Sequence, residues 1–176
     1  MTWTDTLRTW VPPSPNLRSP DAAIAYPGVA LLEATTVSAG RGTAIPFLYF
    51  GAPWLDPDDL DVEVAGFELE AVIFTPSASP AAPNPKFLDE ECRGMRVRVT
   101  DPAGADSYRL GVELLVALQG HEEFEWRNEG DALTRLVGTP KLIEDLRQGL
   151  TVEEILAPDA ASHEAWRRAR APVLLY

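Results

Sequence analysis

The sequence predicts an α/β domain of the α+β kind, with a mixed sheet formed mainly by residues 25–100 and covered by C-terminal helices. Three observations lead there. Leu69 to Phe74 is a β-rich run stopped by Thr75-Pro76, and Met95 to Thr100 alternates cleanly, with Met95, Val97 and Val99 on one face and Asp101-Pro102 turning the chain. Leu110, Leu114 and Leu118 then recur at four-residue spacing, the stripe of an amphipathic helix widened by Tyr108 and Leu115. The later segments continue in the helical idiom, so one core shared by early strands and late helices is expected.

Taken in order, residues 1–25 read as an N-terminal arm or interdomain linker in front of a domain at 26–176. Val11-Pro12-Pro13-Ser14-Pro15 favours extended polyproline II, because each proline fixes its own φ and restrains its predecessor. Ser19-Pro20-Asp21 is suited to start a short helix, with serine as cap and proline in the first turn. Trp3 and Trp10 favour an arm laid over an apolar surface. Val29 to Leu32 reads as a buried strand presenting Glu33, and small and hydroxyl residues lead from Ala34 to the turn Gly40-Arg41-Gly42-Thr43. A second apolar run, Ile45 to Phe50, closes on Gly51-Ala52-Pro53-Trp54. Asp56 to Glu63 packs five acids around Leu55, Leu60 and Val62 and reads as a short helix capped by Asp56. Ser77 to Glu91 is a polar surface loop carrying Lys86. After the Leu110–Leu118 helix, Ala132 to Val137 and Leu142 to Leu146 form shorter stripes, the latter capped at Thr139-Pro140 and ended by Gly149. Thr151 and Glu154 have capping-box spacing, and Ser162 is placed to cap a last helix containing Trp166.

Composition narrows the function. The 176 residues are 45% hydrophobic and 24% charged, ordinary for a globular chain, and the formal charge is −12. That charge argues against nucleic acid or an anionic membrane surface as partner, but not against a small acid held by one local arginine. No stretch approaches a transmembrane span, and the N-terminus has neither a basic segment nor an apolar signal core, which leaves the compartment open. The lone Cys92 excludes an internal disulfide and lacks a base, so it reads as packing; with two histidines, a zinc cluster is not expected.

The chemistry-bearing residues cluster at the glycine-bordered turn. Gly40 and Gly42 let backbone N–H groups approach a ligand closely, and Arg41 adds a planar fork of donors suited to a carboxylate. Glu33 is the one acid in an apolar context, where burial favours the neutral form and proton donation. A second reading stays open, in which Arg41 pairs with Glu33 for structural reasons. Asp89, Glu90 and Glu91 are candidates for a second carboxylate but read as a solvated cluster, and Asp101 reads as a turn cap.

In order along the chain, Glu33, Thr35, Ser38, Gly40 to Thr43, Pro46-Phe47 and Gly51 to Trp54 form a series that resembles the C-terminal domain of the bacterial exo-β-N-acetylmuramidase family. Pro83 to Phe87, Cys92 with Gly94, Val99-Thr100-Asp101, Phe124-Glu125-Trp126 and Arg170 to Tyr176 extend the resemblance over the whole chain. One departure stands out: the family's glutamate is usually followed by Gly-Thr-Asn, whereas here Ala34-Thr35-Thr36 puts a hydroxyl where an amide is usual. The resemblance implies removal of N-acetylmuramic acid from the non-reducing end of peptidoglycan fragments, with Glu33 as catalytic candidate and Thr35, Ser38, Arg41, Thr43 and Lys86 as substrate-binding candidates. It implies no cofactor and no metal. In the family a Rossmann-like domain precedes this one, carries the principal catalytic carboxylate and shares the sugar, so the implied partners are a peptidoglycan-derived sugar and such a domain in cis or in trans. The competing class is a non-catalytic module that binds a muramyl sugar or docks onto a partner.

Overall fold

Helix α1, Pro20–Val29, opens the domain in a computed structural model that describes residues 3–174. Ser19 caps it, its side chain accepting from the Ala22 N–H, and Pro20 occupies the first turn, where a missing N–H costs nothing. The helix runs on through Pro27 and Gly28 into a 3-10 segment, Ala30–Ala34. The strand expected at Val29–Leu32 is therefore not formed. Those residues are buried, Val29 and Leu32 completely, but as the end of a helical rod rather than in a sheet. A short unbroken apolar run satisfies either geometry, and here the capped helix upstream decides.

Three strands make the sheet: β1 (Tyr49–Ala52), β2 (Phe67–Phe74) and β3 (Cys92–Val99), in the order β1-β3-β2. Both pairings are antiparallel, with Phe50 opposite Met95 and Leu69 opposite Val97. The α+β class holds with a smaller sheet than expected, the two alternating runs pairing side by side and the Ile45–Phe50 run supplying the third strand. Alternation sorts the faces: Met95 and Val97 join the core while Arg96 and Arg98 stay outside, where Arg98 Nη1 lies 2.7 Å from Glu70 and 3.3 Å from Glu68 on β2. Asp56 does act as a cap, accepting from the Asp58 N–H, but it starts no more than a single 3-10 turn, Pro57–Asp59.

Helix α2, Ser107–Leu118, begins after an Asp106 cap, and Leu110, Leu114, Leu115 and Leu118 are fully buried in the cluster that also holds Val97 and Phe50. It crosses α1 at glycines. A Cβ on Gly28 would fall 2.0 Å from the Ser107 carbonyl oxygen, and one on Gly111 2.7 Å from the Gly28 carbonyl oxygen, so the two backbones touch. The Ser107 hydroxyl donates to the Ile24 carbonyl across the same seam.

Helices α3 (Asp131–Val137), α4 (Lys141–Arg147) and α5 (Val152–Arg170) complete the domain. The Thr151–Glu154 capping box starts α5 as expected. Ser162 is not a cap: α5 runs unbroken past it, because Val152 and Ile155 anchor the first turns in the core and nothing in the sequence interrupts the helix afterwards but Pro158, which it accommodates. The N-terminal arm folds back on the domain. Trp3 and Trp10 meet edge to face at 5.2 Å and line a hollow with Pro20, Ala23, Ile24 and Pro102, while Trp10 Nε1 donates to the Leu17 carbonyl. No helix among the described residues is long and apolar enough to cross a membrane. Leu175 and Tyr176, at the end of the last family-like piece, lie outside the described residues.

Candidate functional site

The 3-10 segment Ala30–Ala34 ends by turning Glu33 outward while Leu31, Leu32 and Ala34 stay buried. The chain then runs beside β1, and Ser38 makes a two-bond bridge to Gly51, its N–H donating at 2.9 Å and its carbonyl accepting at 3.1 Å. This pins one side of the turn at Gly40–Thr43. Gly40 and Gly42 have φ of +72° and +83°, conformations that L side chains rarely adopt, and Tyr49 and Pro85 crowd the places where their Cβ atoms would lie. Arg41 between them reaches back eight residues to Glu33. Its Nε bonds one carboxylate oxygen and its Nη2 the other at 3.1 Å, a bidentate pair, and its guanidinium lies 5.0 Å from the Phe47 ring centroid. The bond to Glu33 raises the Arg41 pKa further, despite the opposing cost of burial. Phe47 is held at φ +64° with its ring buried, a strained backbone fixed by its surroundings, including Tyr26 edge-on at 4.8 Å.

The long polar loop comes in from the other side. Lys86 Nζ donates to three carbonyls of the Glu33 turn, Leu32 at 3.0 Å, Thr35 at 2.5 Å and Val37 at 2.7 Å. Burial, and next to it the Arg127 charge, push its pKa down from 10.5 to about 7. Three acceptors use all three ammonium protons, which leaves none aimed at a ligand.

Arg127 completes the cluster, and sequence reasoning missed it. The Phe124–Trp126 segment lies extended against the Glu33 turn, with Arg127 opening a 3-10 turn after it: Thr35 bridges Trp126, the Thr36 N–H donates to the Glu125 carbonyl, and the Thr36 hydroxyl accepts from the Glu125 N–H and donates to the Glu123 carbonyl. The hydroxyl found where the family usually has an amide thus ties down this segment. Arg127 Nη1 then donates to the Glu33 carbonyl at 3.1 Å. The signal that could have found it is its position directly after the family-like Phe124-Glu125-Trp126.

Together Glu33, Ser38, Arg41, Asn84, Lys86 and Arg127 surround a recess of about 140 Å³. Among the described residues Glu33 is its only acid, facing three cationic side chains. The expected Thr35 and Thr43 are not on its wall. The Thr35 hydroxyl is buried, donating to Leu32 and accepting from Val37, and the Thr43 hydroxyl donates to the Gly40 carbonyl; both shape the turns that carry Glu33 and Arg41. Asp89, Glu90 and Glu91 are exposed and off the recess. Glu33 is not enclosed by apolar residues as expected, because the strand that would have buried it is a 3-10 turn; its side chain is 26% exposed and both oxygens meet Arg41. A larger groove of about 680 Å³ along Leu60–Leu69 offers only acidic charges, Asp61, Glu63 and Glu68, and does not suit an acidic ligand. Cys92 is buried, its thiol pushed up to about 11 by burial and then Glu90, and is unreactive in that state. Among the described residues no group of three or more His, Cys, Asp or Glu side chains is placed to hold a metal ion.

Residues 24–176 match the family model described as exo-beta-N-acetylmuramidase NamZ, C-terminal. The chain belongs to that family. Over 183 aligned residues it is 27% identical to the peptidoglycan beta-N-acetylmuramidase NamZ of Bacillus subtilis (strain 168), a match that takes in all of this chain and 42% of that protein. Crystal structures of two DUF1343 family proteins from Bacteroides fragilis NCTC 9343 share the fold. One superposes with a TM-score of 0.83 at 19% identity, covering all of this chain and 47% of the other; the second gives 0.67 at 30% identity, covering 94% and 43%. The chain therefore spans less than half the length of these relatives. The recess and its arginines fall inside the stretch matched by the NamZ C-terminal family.

Proposed function

We propose that this chain forms one wall of a glycosidase site that takes N-acetylmuramic acid from the non-reducing end of peptidoglycan fragments. The observation that carries the reading is the charge arrangement in the recess: three cationic side chains and a single carboxylate line it, in a chain of net charge −12. Such a recess suits a second carboxylate, and N-acetylmuramic acid carries one on its lactyl group. Arg41 already spends Nε and Nη2 on Glu33, so it offers Nη1; Arg127 spends Nη1 on a carbonyl and offers the rest of its fork. Lys86 contributes charge rather than a bond. Glu33 holds Arg41 in place and stands where a sugar seated on the two guanidiniums would meet it.

Titration calorimetry tests this with N-acetylmuramic acid and N-acetylglucosamine, which lacks the lactyl group. The acid sugar binds more tightly, and R127A removes a charge-assisted contact of about 1.5–3 kcal/mol, roughly ten- to hundredfold in affinity. R41A loses at least as much, since it also leaves Glu33 facing the incoming carboxylate unneutralised. Equal binding of the two sugars, or arginine variants with unchanged preference, would exclude the role. The alternative reading, a non-catalytic module, draws on the Trp3–Trp10 hollow and on exposed Leu7 and Val11; it is favoured if the sugars bind but Glu33→Gln in an assembled enzyme leaves turnover intact.

A further inference from the structure

We infer that Lys86 is a positioning residue, an internal tie whose three bonds to the Leu32, Thr35 and Val37 carbonyls set the turn that aims Glu33 and the Arg41 guanidinium into the recess. Carbonyls of residues 32, 35 and 37 converge on one point only if the chain between them is tightly folded; the Leu32 carbonyl also accepts from the Thr35 N–H and hydroxyl, whereas those of Thr35 and Val37 lie outside any regular helix or strand. A single ammonium satisfies all three at 2.5–3.0 Å, across some fifty residues of sequence. The loop is built to deliver it. Pro85 is buried against Gly42, where a Cβ would lie 2.8 Å from the proline ring, and the Ser77 N–H donates to the Gly42 carbonyl at 2.9 Å. Directly after Lys86, Phe87 adopts φ +55°, a conformation costly for an aromatic residue and maintained where the surroundings over-determine it. The same contacts dock the loop and shape the turn, so neither forms its observed geometry alone.

The tie is also sensitive to protons. The charges facing Lys86 are Glu33 and Arg41 on the turn and Arg127 on the segment opposite, while Asp89, Glu90 and Glu91 of its own loop are exposed. Burial and Arg127 lower its pKa to about 7, and Glu33 opposes them. An ammonium has three donors for three carbonyls, whereas the neutral amine has two N–H bonds to give. As pH rises through about 7, one carbonyl loses its bond to Lys86 and the turn relaxes.

Two-dimensional amide NMR of the full chain tests this between about pH 5.5 and 8.5, with K86M as comparison. In the wild type, amides of residues 33–41 are expected to shift together with a midpoint near 7 while those of β2 and β3 do not. In K86M the midpoint disappears and the same amides are displaced at every pH, with the sheet signals unchanged. A filler that merely packs would give no titration. Wild-type amides at 33–41 that are flat across this range, or a midpoint that persists in K86M, would overturn the inference. Should K86M fail to fold, the wild-type profile combined with direct observation of the Lys86 side-chain nitrogen still decides it.

Discussion

Purified residues 1–176 are expected to release no measurable chromophore from an aryl N-acetylmuramide, and to contribute to turnover when a complementary N-terminal domain from a related full-length protein is added. Glycosidic cleavage ordinarily needs an acid at the leaving oxygen and a second carboxylate that attacks, or activates water, on the other face of the ring. The recess offers one carboxylate, Glu33, and that one is engaged bidentately by Arg41. Its volume of about 140 Å³ is also well below the roughly 300–1,000 Å³ of sites that enclose a small ligand, so a sugar seated here stays open to water on one side. Groups that act as a unit lose far more than their share when separated, so the isolated half is expected to lie near background. With the second domain supplied, Glu33→Gln should depress activity by loosening Arg41. Turnover by the isolated chain that Glu33→Gln abolishes would show this to be a complete enzyme.

The largest structural effect is expected from one methyl group. Gly28→Ala adds a good helix former to α1, worth close to about 1 kcal/mol in favour on propensity alone. Its Cβ, however, lands 2.0 Å from the Ser107 carbonyl oxygen and 2.8 Å from the Gly111 nitrogen, both backbone atoms that cannot rotate aside. The helices must part, opening the Leu110–Leu114 packing and costing about 3 kcal/mol or more. For a chain of this size that lowers Tm by roughly 6–12 °C. Gly120→Ala is the matched control, because nothing lies within 4 Å of its added Cβ. Thermal unfolding by circular dichroism compares the two; equal Tm values would mean the helix crossing is not tight.

Where the sequence could be read, the reason is periodicity at a half-exposed surface. β2 and β3 alternate because one face carries Glu68, Glu70, Arg96 and Arg98, and α2 shows its stripe because Leu110, Leu114 and Leu118 are fully buried while Arg109 and Glu113 keep part of their side chains in water. Val29–Leu32 has no such asymmetry: buried on all sides, it prints only as an apolar run, and Pro27-Gly28 looks like punctuation. In the fold Gly28 is there to let α2 approach, a contact with a distant part of the chain that its local context does not announce. The pairing of Arg41 with Glu33 was visible, since both lie on one short stretch. What Lys86 does was not, because its partners are backbone carbonyls, which leave no trace in residue identity. Arg127 was hidden by expecting helix throughout the C-terminal half, although Phe124–Trp126 departs from it.

The mismatch between the recess and the rest of the surface has a kinetic side. An anionic sugar diffusing in meets the field of a −12 molecule before it feels Arg41 and Arg127. Salt screens these two influences unequally: at about 0.15 M the Debye length is near 8 Å, which removes most of the distant repulsion while leaving the contact itself largely intact. Encounter should therefore quicken on going from very low to moderate salt, the reverse of the slowing seen when an oppositely charged surface steers its ligand. A neutral sugar such as N-acetylglucosamine should arrive at the same rate throughout.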